Sequence, residues 1–140
     1  KSYKNWTIVF AYQQPLVQNS NEFLAPANSN FLSTNEFKRA GDILLRTSYR
    51  LAIHDKIIVS PSFLPIYHIA NDKFTDADNV EKEILGSRGL TLNANLYINF
   101  MFNKKNSLEL SLGSPLVVRE TRPDGLTRSF VVNLEYKILF

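Results

Sequence analysis

Hydrophobic and polar residues alternate along most of this chain with a period of two, which is the repeat of a β-strand. The pattern is cleanest at positions 89–102, where apolar residues at even positions oppose threonine, asparagines and tyrosine at odd positions. Further strands are predicted by the same alternation near residues 6–16, 37–52, 57–70, 108–118 and 127–140. The chain has no run of about eighteen apolar residues, which excludes a membrane-spanning helix and leaves about six strands as its main elements.

The connections between these strands differ in length in a regular way. Polar stretches at 17–36 and 71–87 predict two long loops, and the second is acidic enough in its middle to suit a helical turn. Short turns are expected at 53–56 and 103–106, and a moderate connection at 120–127. The two short turns fall on the same side of the sheet as the C-terminus, and the three longer connections fall on the other. This agreement predicts an antiparallel up-and-down sheet with its long loops at one end.

Two prolines lie within the third predicted strand. Pro61 and Pro65 have no N–H group to donate to a ladder, and prolines in sheets are confined to edges, strand starts and bulges. We therefore expect a bulge or a broken register between residues 57 and 70.

The last strand carries an apolar face along its whole length and ends on an aromatic residue. Its apolar parity comprises Phe130, Val132, Leu134, Tyr136, Ile138 and Phe140. This pattern resembles the closing strand of bacterial outer-membrane β-barrels, whose assembly signal is a terminal Phe preceded by aromatic or aliphatic residues at every second position. Tyr136, Ile138 and Phe140 are the positions that match the signal. The resemblance implies an all-β, antiparallel up-and-down transmembrane β-barrel.

About six strands are too few for a single-chain transmembrane barrel, because the smallest known ones have eight. Residues 1–140 are therefore expected to be a barrel domain or, preferably, the C-terminal part of a larger barrel; a barrel shared by several chains is the alternative. Lys1 is not followed by a signal peptide, so the sequence is either a mature form or an internal piece of a longer protein.

Composition narrows the functional classes. The hydrophobic fraction of 44% and a mean hydropathy of -0.15 would suit a soluble protein, and a barrel has such values because half of each strand faces a polar interior. The absence of cysteine excludes disulfides, zinc–thiolate sites and thiol catalysis. The 16 basic and 13 acidic residues are interspersed, which does not favour nucleic acid as a partner.

The polar parity of the strands supplies the residues expected to face the lumen. They are Asp42, Arg46, Arg50, His68, Asn93, Asn95, Asn99, Glu109, Arg119, Glu135 and Lys137. Several asparagines on one strand are unfavourable by propensity and indicate a wet interior. The set fits either a pore lining or a mutually paired network that fills a narrow lumen. Because both signs of charge occur in similar number, the sequence predicts no preference for anions or cations.

Other candidate chemistry is weaker. The acidic residues between Asp72 and Glu83 could bind Ca²⁺, but the EF-hand glycine and later glutamate are missing, so a solvated acidic loop is favoured. Neither His54 nor His68 is followed at the second position by Ser, as an outer-membrane phospholipase would require. We expect no catalytic residues, no metal site and no cofactor. Aromatic residues near the strand ends are expected to form the girdles found at membrane interfaces.

Three segments resemble a particular class of barrel. FKRAGDILLRTSYRL, LELSLGSPLVVR and RPDGLTRSF, which lie within about residues 38–140, are similar to the C-terminal half of outer-membrane transporter-like barrels of Bacteroidota, grouped with phenol-degradation pathway transporters. The resemblance implies an outer-membrane location in contact with lipid bilayer and lipopolysaccharide, insertion by the barrel assembly machinery, and passage of small solutes. An accessory subunit of a larger outer-membrane complex and a soluble ligand-binding β-barrel are the alternative hypotheses.

Overall fold

The structure is a computed structural model that describes residues 2–3, 5–17, 19–23, 34–76, 78–122 and 129–139. Within these residues the elements are β-strands and every pairing is antiparallel, which confirms the predicted all-β class. The strands are β1 (Ser2–Tyr3), β2 (Trp6–Gln13), β3 (Asn19–Phe23), β4 (Thr34–Lys38), β5 (Asp42–Tyr49), β6 (Leu51–His54), β7 (Ile57–His68), β8 (Asp72–Thr75), β9 (Glu81–Ile84), β10 (Gly89–Met101), β11 (Asn106–Val117) and β12 (Val131–Ile138). This part of the chain has no helix long and apolar enough to cross a membrane.

The larger of two sheets has eight strands in the order β1-β2-β5-β7-β10-β11-β12, with β6 beside β7. Its neighbours follow chain order, so the up-and-down topology is also confirmed. The six predicted strands correspond to β2, to β5 with β6, and to β7, β10, β11 and β12. Both short turns are present, at 55–56 and 102–105. In the second turn the Asn103 Oδ1 atom accepts hydrogen bonds from the backbone N–H groups of Lys105 and Asn106, at 2.8 and 2.9 Å.

The smaller sheet has the order β3-β4-β8-β9 and continues the larger one, because the chain runs from β4 into β5, from β7 into β8 and from β9 into β10. The two predicted long loops therefore contain paired strands, and the helical turn expected within 71–87 is wrong. Lys73 opposes Glu83 and pairs diagonally with Glu81, and Lys82, which opposes Phe74, pairs with Asp76. Charged cross-strand pairs stabilise a solvent-exposed hairpin whose composition resembles that of a loop.

The two prolines of β7 affect one side of the strand. The pairing of β7 with β10 is continuous, including Pro61 opposite Leu96 and Pro65 opposite Leu92, so the predicted bulge or broken register is wrong for this side. On the other side the ladder with β5 is interrupted at Pro65 and ends before Pro61, and the ladder with β6 has a register shift opposite Ile57 and Ile58. Since proline has no N–H to donate, the missing hydrogen bonds fall on the β5 side of the strand.

The register divides the larger sheet into two faces, because residues directly opposite one another in a ladder lie on the same side. The apolar face carries exposed side chains from every long strand, such as Phe10 at 70% and Leu134 at 64% exposure. The polar face carries the serines, asparagines and charged residues. Among the described residues, Phe74 is the one buried hydrophobic side chain, whereas the buried polar side chains are Asp42, Ser62, His68, Asp72 and Ser87. The large sheet thus has no apolar core of its own.

The described strands leave the larger sheet open. β12 pairs with β11 alone, and β2 pairs with β1 and β5, so the first and last long strands do not meet. A bulge in β11 shifts its pairing with β10 by one residue, and Val117 therefore opposes Leu92 on the apolar face. Strict alternation over 108–118 would instead place Leu116 and Val118 on that face, because a regular period of two cannot show a bulge.

Candidate functional site

A cavity of about 530 Å³ lies on the polar face, against β10, β11 and β12. Three arginines line it, Arg39, Arg119 and Arg122, and among the described lining residues Asp42 is the one carboxylate. The remaining polar lining comes from Thr91, Asn93, Asn95, Tyr97, Ser111, Ser114 and Asn133. The volume lies in the range of small-molecule sites, and the lining offers many hydrogen-bond donors.

A buried group of ionisable side chains lies behind one wall of the cavity. His68 is 1% exposed, its Nδ1 atom lies 2.7 Å from Asp42 Oδ1, and its Nε2 atom lies 2.8 Å from Asp72 Oδ1. A neutral imidazole has one N–H and would turn a lone pair toward one of the two carboxylates. An imidazolium donates from both nitrogens and satisfies both contacts. With its two nitrogens occupied, His68 offers no accessible base to a solute.

Each carboxylate of this group has a further donor. The Arg39 Nη2 atom donates to Asp42 Oδ2 at 3.0 Å, and the backbone N–H of Ala40 donates to Asp72 Oδ1 at 2.9 Å. These contacts distribute the negative charge of both carboxylates over cationic and backbone donors, as burial requires. The hydrogen bond from Ala40 also connects the segment between β4 and β5 to the start of β8.

The network continues from Asp72 to the opposite side of the cavity. The backbone N–H of Asp72 donates to Ser87 Oγ at 2.8 Å, and the Ser87 hydroxyl donates to the Ile84 carbonyl at 2.6 Å. The Arg119 Nη1 atom donates to the Ser87 carbonyl at 2.7 Å. A chain of contacts therefore joins Arg39 to Arg119, and it runs through the junction of the two sheets.

Small residues make this junction possible. A Cβ atom on Gly41 would lie 3.0 Å from the carbonyl oxygen of Gln13, and the Gly41 carbonyl accepts a hydrogen bond from Ile69 at 3.1 Å. Gly86 has a φ of 80°, a conformation that favours glycine, and its carbonyl accepts the N–H of Thr121 at 3.0 Å. Both glycines allow connections to approach closely around the buried group.

A fourth arginine, Arg46 on β5, lies near the cavity. The guanidinium carbon of Arg46 lies 5.5 Å from the ring centroid of Tyr97, which lines the cavity. Within the described part of the chain, Arg46, Arg50 and Arg122 form no ion pair. Their positive charge therefore has no carboxylate partner among the described residues.

The glutamates of the polar face lie elsewhere. Glu109 opposes Asn99 and Glu135 in the ladders, toward the end of the sheet that carries the short turns. Lys137 Nζ lies 3.1 Å from Glu109 Oε2 and 3.7 Å from Glu135 Oε2. The two glutamates are therefore separated along the strands from the arginines that line the cavity, which the sequence pattern did not indicate.

The structure divides the residues that were predicted to face a lumen. Asn93, Asn95 and Arg119 line the cavity, and Arg46, Asn99, Glu109, Glu135 and Lys137 belong to the same polar surface outside its lining. Arg50 is an exposed residue between β5 and β6. Asp42, which also lines the cavity, and His68 are 3% and 1% exposed, because hydrogen-bond partners enclose each of them at the junction. Their expected place at a lumen stays a prediction. Tyr136 and Ile138 of the predicted assembly signal are exposed on the apolar face, and Phe140 lies outside the described residues.

Sequence reasoning missed Arg39, Ser87 and Arg122 and misread Asp72 as part of a solvated loop. All four residues lie at strand starts or in connections, where alternation carries little information about facing. A buried histidine needs a partner, and the acid four residues after His68 was the one local signal available.

The rest of the acidic segment forms a structured hairpin tip. Asp76 Oδ1 accepts the backbone N–H groups of Asp78 and Val80, and Asp76 Oδ2 pairs with Lys82 at 2.6 Å. The hydrogen bond from Lys82 holds the pKa of Asp76 below its usual range, and the hydrogen bond from Lys73 does the same for the pKa of Glu81. Among the residues that the structure describes, no group of three potential ligands is arranged to hold a metal ion.

Comparison of the chain with protein-family models, curated proteins and solved structures gave no match.

Proposed function

We propose that this chain forms part of a transmembrane β-barrel in the outer membrane of a Gram-negative bacterium of the Bacteroidota type, and that the barrel conducts small solutes. The observation that carries the proposal is the inverted polarity of the larger sheet. Its apolar face is exposed, and its polar face surrounds a cavity. A sheet with this distribution suits an environment that is oily outside and wet inside.

The apolar face is difficult to reconcile with water as its surroundings. Exposed hydrophobic side chains such as Trp6, Phe10, Phe63, Leu134 and Tyr136 occur on β2, β7 and β12, across the whole width of the sheet. Monomeric soluble proteins rarely expose a continuous apolar patch larger than a few hundred Å². A lipid bilayer would cover this face without any further protein layer.

The open edges of the sheet indicate that the proposed barrel has more strands than the described residues supply. Unpaired backbone groups in lipid cost several kcal/mol each, so β2 and β12 require further strands beside them. We expect these strands to come from the same polypeptide, with a second chain as the alternative source.

The proposal is tested by reconstitution of the full-length protein into planar lipid bilayers. Stepwise conductance is expected. The folded protein is also expected to resist denaturation by detergent, which a separate band on a gel would show. Stable insertion without conductance would support the accessory-subunit hypothesis instead. A protein that stays folded and monomeric in buffer without detergent would contradict both and favour a soluble ligand-binding barrel.

A further inference from the structure

We infer that the cavity on the polar face binds small oxyanions, carboxylates or phosphates, and that solute flow past it favours anions over cations. The binding site follows from the described residues alone, whereas the preference during flow rests on the proposed function. The inference differs from the expectation from sequence, in which similar numbers of positive and negative residues gave no preference.

The charge around the cavity is strongly positive. Arg39, Arg119 and Arg122 line it, and Arg46 stacks against the lining residue Tyr97. Asp42, the single carboxylate among the described lining residues, is already engaged by His68 and Arg39. Its charge therefore offsets that of Arg39 at most, and Arg119 and Arg122 have no carboxylate partner among the described residues.

Two of the arginines are held in place before any ligand arrives. Arg39 is fixed by Asp42 and Arg119 by the Ser87 carbonyl, and each contact uses one nitrogen atom of the guanidinium group. A guanidinium carries five N–H donors in a planar fork that matches the two oxygens of a carboxylate or phosphate. The remaining donors stay available, and the cost of ordering these side chains is met in the unbound protein.

The neutral lining complements an oxyanion rather than a cation. Side-chain amides of Asn93, Asn95 and Asn133 and the hydroxyl of Tyr97 can donate hydrogen bonds to ligand oxygens. A hard cation would instead require several carboxylates or carbonyl oxygens directed at one point. Among the described lining residues only Asp42 has a carboxylate.

The carboxylates elsewhere on this face lie far from the arginine end of the cavity. Glu109 and Glu135 share a ladder row with Asn99, two residues or about 7 Å beyond the lining residue Tyr97. Asp42, the partner of Arg39, lies in the row of Gly89, ten residues or roughly 33 Å along β10 from Asn99, which exceeds the screening length of about 8 Å at physiological ionic strength. Both glutamates also have Lys137 as a partner.

The first experiment measures binding without any flow. The full-length protein, refolded in detergent, is unfolded with urea in potassium chloride, potassium acetate or potassium phosphate at equal ionic strength. The variants are Arg122→Gln, which removes an arginine outside the buried network, and Lys105→Gln, which removes one positive charge from the turn between β10 and β11. General salt effects move the urea midpoint of all three proteins alike, whereas specific binding adds a ligand-dependent shift.

We expect acetate or phosphate to raise the midpoint of the wild type and of Lys105→Gln, and the shift to be lost or strongly reduced in Arg122→Gln. A shift with acetate alone identifies a carboxylate site, and a shift with phosphate alone identifies a phosphate site. Equal midpoint shifts in all three proteins would overturn the inferred site.

The second experiment measures selectivity in planar bilayers from the reversal potential in a potassium chloride gradient. The wild type should prefer chloride. The chloride-to-potassium permeability ratio should fall about twofold to tenfold in Arg122→Gln or Arg46→Gln, because each variant removes one partly desolvated positive charge. Lys105→Gln should keep the wild-type ratio. Two outcomes would contradict the anion preference and still support the proposed channel. In the first, the protein conducts and prefers potassium. In the second, it conducts and its permeability ratio is unchanged in both arginine variants. Absence of conductance together with the acetate or phosphate shift overturns the proposed channel and leaves the anion site standing.

Discussion

The Nδ1 atom of His68 lies 2.7 Å from Asp42 Oδ1, and both side chains are almost completely buried where the two sheets join. This pair is the centre of the contacts that connect Arg39 on one side of the cavity with Arg119 on the other. The most enclosed part of the described structure is thus polar, and the stability of the junction depends on charge pairing rather than on apolar packing.

Removal of His68 should destabilise the junction severely. His68→Gln leaves Asp42 and Asp72 close together in a buried site without the imidazole that contacts both, and each buried acceptor that loses its partner costs about 1–3 kcal/mol. The free energy of unfolding in urea measures the loss. Lys137→Gln, which breaks a half-exposed pair on the same face, should cost no more than ~1 kcal/mol. A loss in His68→Gln that is no larger than the loss in Lys137→Gln would show that the buried group does not support the fold.

The two faces of β10 should respond differently to charge. Leu96 opposes Pro61 and Leu112 on the apolar face, so Leu96→Arg should cost roughly 2–4 kcal/mol if this face meets lipid near the bilayer midplane. Asn95→Arg, one residue away, places its charge beside the cavity and should be tolerated. Refolding equilibria in lipid vesicles give both values. Similar costs at the two positions would contradict the proposed orientation.

Two glycine substitutions differ in whether a backbone atom crowds the new Cβ. In Gly41→Ala the new Cβ would lie 2.7 Å from Gln14 Oε1, whose side chain can move, and 3.0 Å from the Gln13 carbonyl oxygen, a backbone atom that cannot move aside easily, so we expect a loss of about 1–3 kcal/mol. In Gly113→Ala the new Cβ meets the Asn95 side-chain oxygen at 2.8 Å, which can rotate away. The thermal midpoint should therefore fall clearly in the first variant and little in the second.

The hydroxyl of Ser62 offers a test of a different kind. The side chain is buried, and its Oγ atom has no hydrogen-bond partner among the described residues. Ser62→Ala removes a polar atom that gains nothing from burial, so the free energy of unfolding should stay constant or rise by up to ~1 kcal/mol. A large loss of stability would indicate a partner for the hydroxyl.

The β8–β9 hairpin should open in acid. The pKa values of Asp76 and Glu81 are lowered by Lys82 and Lys73, so these pairs contribute stability above the ordinary carboxyl pKa of about 4 and lose it as the pH falls through the lowered values. The pKa values of Lys73 and Lys82 are raised, so the same pairs persist at neutral pH and weaken only in strong alkali, as the pH rises through those raised values. Hydrogen-exchange protection of β8 and β9, corrected for intrinsic rates, should decrease below about pH 4 while that of β10 and β11 is retained. Asp76→Asn should reduce this acid response, and an unchanged response would exclude the Asp76 pair as its source.

Hydrophobic alternation predicted the long strands well because each strand has one apolar and one polar face. The strand over 89–102 and the turn at 103–106 illustrate this, since the structure has β10 from Gly89 to Met101 and the turn at 102–105. The pattern was less informative at 17–36 and 71–87, where short strands rich in polar residues have the composition of loops. It also failed at Leu116, because a bulge changes the facing of residues without changing the sequence period.

The sequence by itself determined the strand type, the antiparallel order and the polarity of each face, because a period of two is a local property of the chain. Only the tertiary structure decided which polar residues meet. Asp42, His68, Asp72 and Ser87 are separated along the chain, and they come together because β5, β7 and the β9–β10 connection converge at one junction. The separation of the arginines from Glu109 and Glu135 arises in the same way, since charge balance is a property of the whole sequence and charge position depends on strand register.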